Sequence, residues 1–496
     1  MKFTPQVLFS ITFLAPFAAV AGNVILPEPK GPYVTGVHDF EFTDTEYPTP
    51  REKDGGSRRI MVRAWYPACP RDNFDVSSAF CTTTTETGQV TSVNLGRRRQ
   101  YFEAGERSAI ADPEAAALAP LFDITPVLDE IDETVTNSYL DAPVLEVKEA
   151  MPVVVFSHGG LSYVSQNTAL CEEIASQGFM VLSMTHPGDS SGILYPNGDK
   201  DQVDGSYLND VFMGTAWDPE GLNSFDIAKR YEARKAMLVD SADTGLPQYI
   251  PRRRDDLLAL IDFLEDISAE EGTAVFRSGV TDPFVMDIAA NSDLESVIYT
   301  GMSYGGAAAG SAAHADPRAI AAINFDGTHL NADLLDTAIR VPYLTLIAEP
   351  AVDMGVGYSN EFHFEPLESM GQDPEVTRIR VLNSTHFEFS DIAFAPAEYR
   401  MPIAGGGKID GSWLHEAIVS YCMGFIDAVV EGKMWSPDNH LEEFPGTELF
   451  DVSYVAEWAK TSLPEEEPSI EDGAGAQGIQ LTVIGLAAFV LGAAWL

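Results

Sequence analysis

Three kinds of side chain stand in an order that could carry out acyl transfer. A serine lies in Gly301-Met302-Ser303-Tyr304-Gly305-Gly306, acids stand at Asp326 and Glu349, and a histidine stands at His386. A serine hydroxyl is a weak nucleophile at neutral pH and needs a base within hydrogen-bonding reach. Histidine supplies that base, and a carboxylate behind it fixes the imidazole tautomer and stabilises the imidazolium. The tetrahedral intermediate needs preorganised donors for its oxyanion. Backbone amides at Tyr304, directly after the serine, and at Gly160, in His158-Gly159-Gly160, are the candidates. His158 reads as a histidine that shapes this loop; His186 and His314 read as packing or local bonding partners. Alone, Gly-x-Ser-x-Gly decides little, since chance supplies it in roughly one chain of this length in five.

The elements around these residues decide more. Val297-Ile298-Tyr299 runs into the glycine-flanked serine, and an alanine-rich segment of helical composition follows. That is a strand, a sharp turn and a helix with serine at the turn. Pro152 to Ser157 and Phe179 to Met184 are short apolar runs, as expected of strands buried on both faces. Ala319 to Phe325, Tyr343 to Ala348 and Thr377 to Leu382 read as further strands, and Val34 to Phe42 and Arg58 to Tyr66 as two earlier ones. Helices are expected around Ala169 to Ala175, from Pro251 with Leu257, Leu260, Ile261 and Leu264 on one face, and over Trp413 to Val430. The Arg252-Arg253-Arg254 triplet reads as a solvated helix start, paired with cap carboxylates at most. Alternating strands and helices predict an α/β class with a mostly parallel central sheet flanked by helices. In such sheets reactive groups collect beyond the carboxyl ends of strands. The strand exits are His158-Gly159-Gly160, His186, Ser303, Asp326, Glu349 and His386. Chain order Ser, Asp/Glu, His is the α/β-hydrolase order. Two insertions interrupt the pattern. Residues 69–150 show no repeating strand signal and suggest a helix or two, around Asp112 to Leu121 and Ile124 to Ile131. Residues 190–250 suggest an active-site cap.

Composition bounds the partners. The 496 residues can bury a large core, and a formal charge of −45 repels nucleic acid and anionic membranes. No dinucleotide fingerprint or metal-ligand spacing stands out, so no cofactor or metal is expected. Cys69 and Cys81 would close a short loop if paired, whereas Cys171 and Cys422 sit in helix-like contexts; four cysteines allow three pairings. Residues 1–21 have a basic start, an apolar run and small residues at a cleavage point after Ala21, the pattern of a secretory signal peptide. A catalytic domain over 30–460 is followed by an acidic and small-residue linker at 464–478. A hydrophobic tail at 479–496 fits a GPI-attachment signal, with a retained membrane helix as the alternative. Either would hold an exported protein at the outer cell surface through its tail. Asn383-Ser384-Thr385 is a glycosylation sequon close to His386.

Four motifs carry a family resemblance: Phe156-Ser157-His158-Gly159-Gly160, Gly301 to Gly306, Asn324-Phe325-Asp326 and Ser384-Thr385-His386-Phe387. Together they resemble the platelet-activating-factor acetylhydrolase family, which is close to the dienelactone-hydrolase-like esterases. Gly31-Pro32-Tyr33, Arg63 to Pro67 and Met184 to Asp189 are similar too, so the likeness spans roughly residues 30 to 430. It implies the α/β-hydrolase fold and a calcium-independent serine esterase that removes short or oxidised acyl groups from phospholipids. It also implies that the acid is Asp326, where many α/β hydrolases would use the later Glu349. The insertions depart from the family pattern and put the substrate class in doubt. A broad carboxylesterase or polyesterase, or a non-catalytic surface binding protein on the same fold, are the rival readings.

Overall fold

The computed structural model describes residues 24–44, 58–84, 90–110, 124–203, 227–240, 245–270, 282–349 and 376–449, with 218 and 221, and without 329, 331, 336, 338 and 402–405. The expected signal peptide, linker, C-terminal tail and Asp112–Leu121 helix lie outside the described residues. So do parts of the expected cap.

Eleven strands form one sheet. In chain order they are β1 (Tyr33–Asp44), β2 (Arg58–Pro70), β3 (Arg98–Gln100), β4 (Val135–Leu140), β5 (Met151–Ser157), β6 (Met180–Met184), β7 (Ser292–Met302), β8 (Ala319–Phe325), β9 (Tyr343–Ala348), β10 (Val376–Val381) and β11 (Thr447–Leu449). Their spatial order is β11-β10-β9-β8-β7-β5-β6-β2-β1-β4-β3. From β10 to β6 every neighbouring pair is parallel, and antiparallel pairs lie toward both edges. The sheet is therefore mixed but mostly parallel at its centre.

Parallel strands need crossovers, and the crossovers cover both faces. On one face lie α2 (Ile250–Glu270) and α3 (Tyr304–Ala315); on the other lie α1 (Thr168–Ser176) and α4 (Gly411–Val430). Side-chain alternation along β5 shows the split. Val153 and Val155 pack with Leu257, Leu260 and Ala308, whereas Val154 and Phe156 pack with Leu170, Ile174 and Phe425. A strand buried on both faces has no polar face to keep, which is why β5 reads as an unbroken apolar run. Among the described residues α4 is long and apolar enough to cross a membrane, yet its Leu414, Tyr421, Cys422 and Ile426 are buried in this core.

The segment 69–150 holds more strand than its sequence pattern suggests. It contributes β3 and β4 to the main sheet and a separate three-stranded sheet over Phe74–Asp75, Phe80–Thr84 and Val90–Asn94. β4 escapes a hydrophobic-periodicity reading because Thr136 and Ser138 are buried within it. Glu172 of α1 accepts from Ser138 N and Oγ and from Asn137 Nδ2, so these polar groups are satisfied where apolar ones would be expected. The expected helix at Ile124 to Ile131 is found at Thr125–Asp132. β2 also outlasts Pro67, which lies at the register shift opposite Val34 and Thr35; a bulge tolerates proline. Cys69 and Cys81 form a disulfide, and Cys171 and Cys422 are buried thiols.

Candidate active site

Ser303 stands between β7 and α3 with φ 57° and ψ −126°. That backbone conformation is unfavourable for a side-chain-bearing residue and persists only where surroundings enforce it. Here β7 and α3 approach each other so closely that a Cβ on Gly301 would lie 2.4 Å from the Gly305 carbonyl carbon. A Cβ on Gly305 would lie 2.0 Å from Ser157 O, and one on Gly306 would lie 2.0 Å from Asn324 Oδ1. Each glycine of the motif thus answers to a specific steric demand.

The other two residues reach Ser303 from the neighbouring strand ends. Asp326 follows β8 with φ 54°. Its turn is braced by Asn324, which accepts from Gly327 N at 2.8 Å and donates to Gly327 O at 2.9 Å. His386 opens a short 3-10 helix, His386–Phe389, whose start is fixed by a reciprocal cap between Thr385 and Glu388. Arg400 pairs with that same Glu388. His386 Nε2 lies 2.9 Å from Ser303 Oγ, and Nδ1 lies 2.7 Å from Asp326 Oδ2. A carboxylate accepts, so Nδ1 carries the proton and Nε2 is left to accept from the serine hydroxyl. Asp326 Oδ1 accepts from Ala348 N at 2.7 Å, which holds the carboxylate plane.

Glu349, the alternative acid, goes elsewhere. Its Oε2 accepts from Asn383 N at 2.7 Å, and its other oxygen faces Arg380 at 3.6 Å. It buttresses the left-handed turn at Asn383 (φ 61°), three residues before His386. Asn383 itself is exposed.

The loop after β5 lies against the serine. A Cβ on Gly159 would sit 3.4 Å from Ser303 Cβ. Gly159 N donates to Gln166 Oε1 at 2.7 Å, and among the described residues Gly160 N–H donates to no acceptor. Gln166 joins the parts of the site: its Nε2 reaches Met302 Sδ at 3.3 Å, and its carbonyl accepts from Asp391 N, just past the His386 turn. His158 is fully buried and shapes the loop from within. Its Nδ1 donates to Gly159 O at 2.6 Å, and Nε2 meets Ser190 Oγ at 2.8 Å. Burial, with Arg253 beside it, lowers His158 well below the usual imidazole range, so it stays neutral.

Beneath that loop lies a buried polar layer. Arg253, 0% exposed, is no solvated helix start: Nε and Nη2 grip both oxygens of Asp189 at 2.8 and 2.9 Å. His186 Nε2 meets Ser157 Oγ at 2.8 Å, and Nδ1 meets Asp256 Oδ2 at 2.7 Å. Arg58 Nη2 also donates to Asp256 Oδ2, at 2.6 Å. Burial pushes the Asp256 carboxyl up to about 7 against the pull of Arg58. Burial would raise Asp189 too, but the Arg253 guanidinium holds it below the usual carboxylate range. Arg253 and Asp256 fall outside the motifs, yet helical spacing could have found them. They stand four residues before Leu257 and Leu260, on the apolar stripe of α2.

The matching family model is platelet-activating factor acetylhydrolase, isoform II, over residues 130–431, more than half of the chain. The chain belongs to this family. It is accordingly an ester hydrolase by family, on the α/β-hydrolase fold. Among solved structures, it is similar to a ferulic acid esterase from Streptomyces cinnamoneus at 18% identity and TM-score 0.56, covering 87% of this chain and 100% of that one. At that identity the likeness concerns the fold. No curated protein matches the sequence.

Proposed function

We propose that the chain is a serine esterase working through an acyl-enzyme on Ser303, with His386 as base and Asp326 as the acid behind it. The placement of His386 between Ser303 Oγ and Asp326 Oδ2 at a strained strand-to-helix turn carries this reading. In the first half-reaction Ser303 Oγ attacks the ester carbonyl while His386 Nε2 takes its proton. Asp326 stabilises the imidazolium, and the amides of Gly160 and Tyr304 receive the oxyanion. Collapse of the tetrahedral intermediate returns the proton to the leaving alkoxide. Water then repeats the sequence on the acyl-enzyme and restores the free serine. No metal or organic cofactor is required by these steps.

Family membership supports a phospholipid with a short or oxidised sn-2 acyl group as the substrate class. The charge of −45 favours a zwitterionic headgroup over an anionic one. The N-terminal and C-terminal sequence patterns support export and attachment at the outer cell surface, by a GPI anchor or a retained helix. The decisive experiment is labelling of the purified protein with a fluorophosphonate probe, expected for the native chain and abolished by Ser303→Ala. Absence of labelling on the native protein would leave only a hydrolase-shaped binding protein. A panel of p-nitrophenyl and phospholipid esters of graded acyl length then separates an acetylhydrolase-like preference from a broad carboxylesterase.

A further inference from the structure

The peptide unit that carries the Gly160 N–H lies between two glycines, so its own residues restrain its orientation less than any other pair would. Something outside the loop must aim it. In a trans peptide the carbonyl and the N–H point in opposite directions, so whatever grips Gly159 O also sets the direction of Gly160 N–H. Two donors grip that carbonyl: His158 Nδ1 at 2.6 Å and Arg253 Nη2 at 3.1 Å. The guanidinium also donates to the preceding carbonyl, His158 O, and reaches Ser157 Oγ at 3.4 Å. With both Asp189 oxygens, all five N–H groups of Arg253 have partners; two of those partners are loop carbonyls and a third is Ser157 Oγ at the end of β5. The same guanidinium carbon stands 4.8 Å from the centroid of the Tyr304 ring, on the residue that carries the second candidate oxyanion amide.

We propose that Arg253 is the positioning residue of the oxyanion site: it clamps the His158 and Gly159 carbonyls so that the Gly160 amide is preorganised toward the ester carbonyl oxygen, while its face braces Tyr304. Asp189 in turn holds Arg253 by a bidentate pair. The proposal rests on the reading of Ser303 as nucleophile and of Gly160 and Tyr304 as oxyanion donors. Arg253 touches no substrate. It acts by denying the glycine pair an alternative orientation, and this aids only a state in which negative charge has formed on the carbonyl oxygen.

Two variants test it. Arg253→Lys keeps the charge but has one nitrogen in place of a planar fork, so it cannot span Asp189 and both carbonyls. The double variant Arg253→Met with Asp189→Asn removes both charges, so neither is left buried and unpaired. For each variant with a cooperative melting curve, kcat and KM on p-nitrophenyl acetate are measured beside the inhibition constant of an aryl trifluoromethyl ketone, whose hemiketal oxyanion occupies the same donors. The expected result is a fall in kcat of about ten- to a hundredfold with KM within about twofold, and a loss of ketone affinity by the same factor. Fluorophosphonate labelling of Ser303 should persist, only more slowly. Cooperatively folded variants that keep kcat and ketone affinity within about twofold, or that lose activity through KM alone, overturn the proposal. Failure of the native protein to react with the probe would instead sink the serine-esterase reading itself.

Discussion

Asp326→Asn separates the two acids that sequence order leaves open. The carboxylate makes two hydrogen bonds of 2.7 Å, one with His386 Nδ1 and one from Ala348 N. Asparagine has the same shape, and its carbonyl oxygen can keep the Ala348 bond. Its amide group then faces Nδ1 and donates. An Nδ1 that accepts obliges the imidazole proton to sit on Nε2, facing Ser303 Oγ at 2.9 Å. The serine loses its proton acceptor while the geometry stays intact. The expected loss in kcat is about 10⁴-fold, or about 5 kcal/mol of barrier, with little change in KM. Because the Ala348 amide stays paired, unfolding free energy should move by no more than about 1 kcal/mol. Glu349→Gln is the matched control. Its oxygens serve Asn383 N and face Arg380, so it should cost at most about tenfold, by loosening the turn before His386. Steady-state kinetics on p-nitrophenyl acetate, with urea melts for both variants, decide between them. Near-normal turnover for Asp326→Asn with loss of activity for Glu349→Gln would refute the assignment.

Three further outcomes follow from other parts of the structure. Ser303→Gly should be inactive yet more stable than Ser303→Ala by about 1 kcal/mol in urea melts, since glycine tolerates φ 57° and ψ −126° without strain; equal melts would mean that the elbow stores none. Asp256 has a folded-state value raised to about 7 from 3.8, so its contribution to stability is complete below the unfolded value and is lost as pH rises toward 7. The stability of the native protein relative to Asp256→Asn should therefore fall by about 2 kcal/mol between pH 5 and pH 7, and a rise over that interval in paired denaturant melts would contradict the burial argument. Cys69 and Cys81 are 12 residues apart, and replacing both with serine should lower unfolding free energy by about 3 kcal/mol while leaving Ser303 reactive toward the probe.

How legible the molecule is from its sequence depends on whether a residue's surroundings are apolar. β8 and β9 have the bounds that their mostly apolar runs suggest, Ala319–Phe325 and Tyr343–Ala348, because a strand buried on both faces is built mainly of apolar residues. β4 was hidden because its inward positions are Thr136 and Ser138: Thr136 donates to the Arg99 carbonyl of the neighbouring strand, and Ser138 is satisfied by a glutamate from a distant helix. No local pattern records a partner 34 residues away. Arg253 was hidden for the same reason: three consecutive arginines resemble a solvated helix start, and only the later Leu257 and Leu260 show that the middle one faces inward. Ser303, Asp326 and His386 were legible because strand exits mark one edge of the sheet, and that edge is where α/β folds gather reactive groups.

Contact geometry alone would nevertheless have offered two sets of residues. Ser157, His186 and Asp256 repeat the hydroxyl–imidazole–carboxylate chain at 2.8 and 2.7 Å, nearly matching the 2.9 and 2.7 Å of Ser303, His386 and Asp326. The inner chain is poorly suited to accept a proton. His186 is held well below the usual imidazole range by burial and by the Arg253 cation, so protonating it would set two positive charges side by side in a dry layer. Its carboxylate is already shared with Arg58. Ser157 ends a strand without the strained turn that presents Ser303, and its hydroxyl faces the guanidinium at 3.4 Å. The inner set therefore serves as scaffolding: Asp256 orients His186, His186 orients Ser157, and Ser157 with Arg253 holds the glycine loop against the outer serine. The same hydrogen-bonding pattern thus occurs twice, and in the inner set the neighbouring cation opposes a moving proton.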